Sequence, residues 1–495
     1  MTLTTPPRTG GADRAGRREW TALAVLMLPL LLVSMDVSVL YFAIPAIAAE
    51  LRPGATAQLW ILDMYGFVLA GLLIPLGALG DRVGRRRVLL AGAALFGAAS
   101  LAAALADSPG TLIAARALLG AGGACLMPST LAMIRTLFRD ETQRAKAVTA
   151  WTAVMAGGVS LGPVLSGALL EHFWWGSVFV VNLPAMALLL LLGPVLLPDS
   201  RAPKDRAGRF DRPSALLSLG AVLPTVYGVK EFAADGLAAE PALAVVAGLC
   251  LGAVFLRRQR RLAHPMVDLE LLRRPAYGGS VLVNLLAMAA TVGFAVFLTQ
   301  YLQSVLGQSP FEAALWSVVP TVGVLAAAPA GAALARRTDR AYVVTGGFLV
   351  AAAGFAWLTS VGLGTPLWVV LAACALYAAG LVTVMTLGNE LALGAAPPER
   401  AGAAAAVLES GQELGGALGM ALLGSVGAAV YTSAMPEGAP AAARETLGGA
   451  LTAPAPVLAA ARAAFADAIA AAATGAALLC LLAAGLAYGL LRRRT

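Results

Sequence analysis

The stretch Gly77-Ala78-Leu79-Gly80-Asp81-Arg82-Val83-Gly84-Arg85-Arg86-Arg87 decides how this chain is read. It separates two apolar runs, near 57–79 and 88–106. Each is long enough to cross a hydrocarbon layer of about 30 Å as a helix of roughly 20 residues. Gly77 and Gly84 permit a tight turn and close helix approach, and Asp81 can accept hydrogen bonds from the N-terminus of a neighbouring helix. Arg82, Arg85 and Arg86 supply charge that holds a cytoplasmic membrane face by pairing. A basic turn between two membrane helices implies a polytopic protein with this loop inside.

Composition agrees with that reading. Of 495 residues, 59% are hydrophobic and 13% charged, far from the balance of a soluble domain. Apolar runs predict six helices near 20–48, 57–79, 88–106, 110–133, 145–170 and 174–197, then two weaker segments near 213–232 and 241–256. Six more follow near 277–303, 311–335, 341–361, 366–393, 401–430 and 466–491. Charge provides an independent check. With fourteen spans and both termini cytoplasmic, only Arg52, Lys230, Arg444 and Arg462 fall outside, and Arg116 lies within the fourth helix. The formal +8 is then a positive-inside pattern and requires no nucleic-acid partner. Twelve spans would preserve the parity, whereas thirteen would expose Arg257, Arg258, Arg260 and Arg261 on the wrong side.

The expected class is an all-α polytopic membrane protein of two six-helix bundles with an inserted central pair. Its parts are a tail at 1–19, a first half at 20–197, a linker at 198–212 and the inserted pair at 213–256. A second linker at 257–276, a second half at 277–491 with an outer loop at 431–465, and a tail at 492–495 complete it. The first apolar run is longer than a signal-peptide core, so it reads as a retained helix. Cys125, Cys250, Cys374 and Cys480 each stand alone in apolar sequence and read as packing residues, with no metal site. Two histidines, His172 and His264, and no paired nucleophile and base give no support to an enzyme.

Charge inside the membrane marks the candidate site. Arg116, followed by Gly120 and Gly123, costs about 2.5–3.5 kcal/mol at a helix centre and must face the interior and find an acceptor, unless it snorkels to the interface. In the fifth helix, Gly158, Gly162 and Gly167 allow close packing and Pro163 introduces a bend. Asp36, Asp63, Glu409 and Glu413 are the embedded acids. The last two are spaced i, i+4 on one helix face, where mutual repulsion and loss of solvent suit them to carry a proton. A carboxylate cluster of this kind holds either protons or an organic cation, and competition for it is the simplest antiport. Trp60, Tyr65, Phe67, Trp151, Phe294 and Tyr377 can stack on flat cations, the alternative being anchoring at the lipid interface.

The 77–87 stretch resembles the loop motif of the major facilitator superfamily, with Gly80 where alanine is usual. Gly157-Gly158-Val159-Ser160-Leu161-Gly162-Pro163-Val164-Leu165-Ser166-Gly167 resembles its antiporter motif, with Ser166 in place of a glycine. Trp60-Ile61-Leu62-Asp63-Met64-Tyr65, the stretch from Glu171 to Phe179, and the pair Glu409 and Glu413 are similar to the fourteen-helix drug:proton antiporters that export quaternary ammonium compounds and methyl viologen. The resemblance implies alternating access in a bacterial inner membrane, driven by the proton gradient with no cofactor. It implies a monomer in lipid whose substrates are hydrophobic cations, with Arg116 in proton transfer and the acids in recognition and coupling. The tenth helix holds no acid beyond Glu312, which argues against strong binding of dications. A dedicated exporter of an endogenous metabolite or antibiotic is the alternative on the same fold.

Overall fold

In lipid a backbone must satisfy its own hydrogen bonds, and the apolar runs do so as helices. The computed structural model describes residues 15–198, 211–235, 238–262, 267–396 and 401–492, and no strand occurs among them. The expected tail up to residue 14, the linker from 199 to 210, His264 and the last three residues lie outside this set.

The first half comprises α1 (Arg17–Leu51), α2 (Ala55–Val83), α3 (Arg85–Ala104), α4 (Pro109–Leu137) and α5 (Glu141–His172), then α6 (Ser177–Val180) and α7 (Asn182–Leu196), which share the sixth segment. The inserted pair is α8 (Arg212–Asp235) and α9 (Ala239–Gln259). After the short α10 (Leu269–Arg273), the second half contains α11 (Pro275–Gln300), α12 (Pro310–Ala335), α13 (Arg340–Leu358), α14 (Leu367–Ala395) and α15 (Ala401–Ala434). Short α16 (Ala441–Glu445) and α17 (Leu447–Ala450) precede α18 (Ala455–Leu491).

All fourteen expected segments are helical. Among the described residues eleven helices are long and apolar enough to cross a membrane, or twelve if α5 is one broken span bent by 44° between Glu141–Val159 and Leu161–His172. The apolar part of α8 stops at Thr225, directly after Pro224, and α12 carries Pro320 and Pro329 within it. A correction concerns the outer loop. Where a loop was expected over 431–465, α15 continues to Ala434, two short helices follow, and α18 begins at Ala455. Pro454 and Pro456 are compatible with a helix start, and the alanines that follow them are the strongest helix formers.

The two halves repeat one packing plan. In each, the first long helix packs on the fifth and sixth, the second on the fourth, and the third on the fourth and sixth. They meet reciprocally: α2 lies on α15, and α5 on α12. At the end away from the basic loops, Thr299 donates to the Tyr41 carbonyl at 3.3 Å and Gln303 to that of Phe42 at 3.3 Å. Gly448 of α17 abuts Ala48 of α1 at the same end. The α8–α9 hairpin docks on both α2 and α15, so it straddles one seam. An ion pair from Arg258 to Asp211 at 2.7 Å and a hydrogen bond from Tyr227 to Glu240 at 3.0 Å clip the two ends of that hairpin. Leu243, Val246 and Leu249 of α9 are exposed, as helix surface facing lipid requires.

Candidate substrate and proton site

Arg116 is wholly buried in α4 and is not at the interface. Small residues on its helix let α2 come close: a Cβ on Gly120 would press on the α2 backbone at Leu69, 3.2 Å away, and one on Gly123 on the Tyr65 hydroxyl, 3.1 Å away. Arg116 ion-pairs with Asp36 of α1 through Nη1. Its Nε donates to the Ile61 carbonyl at 3.0 Å and its Nη2 to that of Leu62 at 3.2 Å. The guanidinium carbon lies 4.8 Å from the centre of the Tyr65 ring, whose hydroxyl donates to the Val33 carbonyl at 3.2 Å. One cation therefore ties α1, α2 and α4 together, with its charge matched by Asp36. Asp63, also buried, follows the Leu62 carbonyl that Arg116 holds.

In the second half Glu409 and Glu413 lie on one stripe of α15 that continues, four residues on each time, to Ala417 and Ala421. Those two alanines pack on Phe67 of α2, and a Cβ on Gly66 would stand 3.7 Å from that of Ala417. The stripe therefore faces the other half, with the glutamates on the turns toward the basic loops. Both are partly accessible, as groups lining a space between helices are. Among the described residues neither takes part in an ion pair. The two groups approach each other on α2, where Tyr65 holds Arg116 and the next residue, Gly66, lies against Ala417 of the stripe. Glu390 stands apart, paired with Arg340 at 2.7 Å on exposed surface.

The six aromatic residues are not brought together. Trp60 stacks on Tyr227 of α8, 6.3 Å between centres, and meets Phe67 edge-on in the seam with the inserted pair. Phe294 and Tyr377 belong to a buried cluster with Phe355, which stacks on Tyr377 at 4.4 Å inside the second half. Tyr65 is committed to Arg116, and the Trp151 indole donates to Thr130 at 3.1 Å between α5 and α4. The expected aromatic cavity is replaced by separate packing contacts, because each ring is held by its own half or by α8. Sequence reading passed over three amides, Asn284, Asn389 and Gln412, which bond to one another beside the glutamates. The signal that finds them is an amide inside an otherwise apolar run.

Residues 26–420 match the family model of the Major Facilitator Superfamily. This chain belongs to that superfamily. Among its relatives, the multidrug efflux pump LfrA of Mycolicibacterium smegmatis is 42% identical, with 98% of this chain and 99% of that protein covered. The methyl viologen resistance protein SmvA of Salmonella typhimurium is 35% identical over 82% of each. The puromycin resistance protein pur8 of Streptomyces alboniger is 36% identical over 85% of this chain and 84% of its own. Among solved structures, an inward-facing bacterial homologue of the human lysosomal transporter Spinster superposes with a TM-score of 0.69 at 16% identity, covering 97% of this chain and 98% of that one. That likeness bears on the fold alone.

Both sequence motifs have a physical place in this major facilitator. Gly84 ends α2 and starts α3 with φ +113°, which a side chain resists. Arg86 donates to the carbonyls of Pro194 at 3.2 Å and Leu197 at 3.0 Å, and Arg18 to that of Val195 at 2.7 Å, so two cations cap the C-terminus of α7. Gly77 approaches Pro128 of α4, and Arg85 folds back along Gly80, while Arg82 is exposed. The side chain of Asp81 lies outside the described set. In α5, a Cβ on Gly158 would strike Ser34 and the Leu31 carbonyl, and one on Gly162 Ser38 and the Met35 carbonyl. These contacts bracket Asp36 on α1. Gly167 abuts Pro310 and Phe311 of α12, across the seam, and Pro163 sits within the bent helix.

Proposed function

We propose that this chain is a proton-coupled multidrug efflux antiporter that exports hydrophobic, cationic small molecules by alternating access. The observation that carries the reading is that acids of both halves lie on, or are tied to, the two helices that meet at the α2–α15 seam. Glu409 and Glu413 lie on the α15 stripe that meets α2 at Gly66 and Phe67, and the preceding residue of α2, Tyr65, holds the Arg116 that pairs with Asp36. A carboxylate there is stabilised by a proton or by an organic cation, and binding of one displaces the other. Asp36, matched by Arg116, sets the electrostatics, and Asp63, Glu409 and Glu413 exchange the ligands. Each proton entering yields about 2.3 kcal/mol per 100 mV and about 1.4 kcal/mol per pH unit, the free energy spent on export. The names of LfrA and SmvA, a multidrug pump and a methyl viologen resistance protein, support drug efflux as the activity.

The relationship to a puromycin resistance protein favours a second reading, a dedicated exporter of one antibiotic. The test is ethidium accumulation in an efflux-deficient bacterial host expressing the chain, with and without a protonophore. Low accumulation that the protonophore restores is expected. Unchanged accumulation with the protein inserted in the membrane would favour the dedicated exporter.

A further inference from the structure

Three side-chain amides meet where α11, α14 and α15 converge. Gln412 Nε2 donates to Asn284 Oδ1 at 3.0 Å and to Asn389 Oδ1 at 2.8 Å. Asn284 is fully buried, and its Nδ2 donates to the Ser280 carbonyl at 2.9 Å. Gly388 of α14 lies directly against the Asn284 amide, where any larger residue would push the two helices apart. Amides like these are not needed to fill space. Leaving one unsatisfied costs about 1–3 kcal/mol, so a network that binds three helices holds them in one arrangement.

Apart from the Tyr277 hydroxyl, which donates to the Ala404 carbonyl at 2.7 Å near the start of α15, much of the α11–α15 contact is built on glycines. Gly411 faces Val281, Gly415 the Leu285 backbone and Gly419 the Ala289 backbone. Glycine surfaces let helices approach closely but offer no knob to stop one from rolling on the other. Beside the glutamates, Gln412 supplies that stop, about two turns beyond the Tyr277 anchor. At 100° per residue it projects about 60° to one side of Glu409 and about 100° from Glu413. With its fork anchored on α11 and α14, α15 cannot turn the Glu409–Glu413–Ala417 stripe away from α2 without breaking both hydrogen bonds.

We infer that Gln412, Asn284 and Asn389 are positioning residues that hold Glu409 and Glu413 toward the seam between the halves, where they receive an organic cation. This rests on the proposed role of the two glutamates. Its test is a fluorescence titration of the purified full-length protein with ethidium, for wild type, Gln412→Leu, the pair Glu409→Gln with Glu413→Gln, and all three together. Gln412→Leu is expected to weaken binding about tenfold in the wild-type background and to have no further effect once both acids are gone, since it acts through them. Weakening by the same factor in both backgrounds, or no effect in the wild type, would overturn the inference. Failure of the underlying site reading looks different: the two glutamine replacements would then leave the ethidium Kd of the wild type unchanged. Should Gln412→Leu not reach the membrane, Asn389→Ala enters the same cycle with the same outcomes.

Discussion

Arg116 illustrates what burial demands of a charge. It has no exposed surface, and its acceptors are one carboxylate and two carbonyls from two other helices. Removing one member of such a pair costs about 3–5 kcal/mol because the other is left uncompensated. Asp36→Asn is therefore expected to lower the melting temperature in detergent as well as to abolish dye export. Asp63→Asn leaves that pair intact and is expected to abolish export at unchanged expression, with a smaller loss of melting temperature than Asp36→Asn. Comparing the two by thermal unfolding and dye efflux checks the division of roles, and full export by Asp63→Asn would remove Asp63 from the site. Both acids were legible in the sequence as charges in apolar runs. The destination of each aromatic ring was not. In a helix that is apolar all round, no polar face indicates its roll, so Trp60, Phe294 and Tyr377 carried no sign that they pack on Tyr227 and Phe355.

At the level of elements, α5 shows why its glycines are where they are. The face carrying Gly158 and Gly162 lies on the turns of α1 around Asp36, while Gly157 faces open space. Gly158→Ala would drive a methyl to 2.9 Å from the Leu31 carbonyl and into Ser34. An overpacked contact of this sort costs about 1–3 kcal/mol and would separate α1 from α5. We expect Gly158→Ala to lose export and thermal stability together, and Gly157→Ala to retain both, as measured by dye efflux and unfolding. Equal behaviour of the two would mean that close approach at α1 is immaterial. Helix positions themselves were readable because a membrane helix needs only length and apolarity. The stretch after 431 misled because its prolines suggest a loop, whereas two of them start α18.

Across the whole molecule, two halves built on one plan meet through α2–α15 and α5–α12, which are equivalent pairs under that plan. Export requires these seams to open and close in turn. Cysteines placed at Gly66 and Ala417, in a background without the four native ones, fall within bonding range, since the two Cβ positions are 3.7 Å apart. Oxidation is expected to stop transport and a reductant to restore it; transport by the fully cross-linked protein would mean that this seam does not move. The division into halves leaves only a faint trace in sequence: Arg336-Arg337-Thr338-Asp339-Arg340 stands in the second half where Asp81-Arg82-Val83-Gly84-Arg85 stands in the first. The repeat lies in helix packing, which many sequences can satisfy.

The central claim, that protons and cations compete for the same carboxylates, is tested most directly by adding ethidium to purified protein in weakly buffered solution and following pH with an indicator. Release of protons in step with dye binding, lost in the variant carrying Glu409→Gln and Glu413→Gln, is the expected result. Saturable dye binding with no proton release at any pH from 5 to 9 would contradict it.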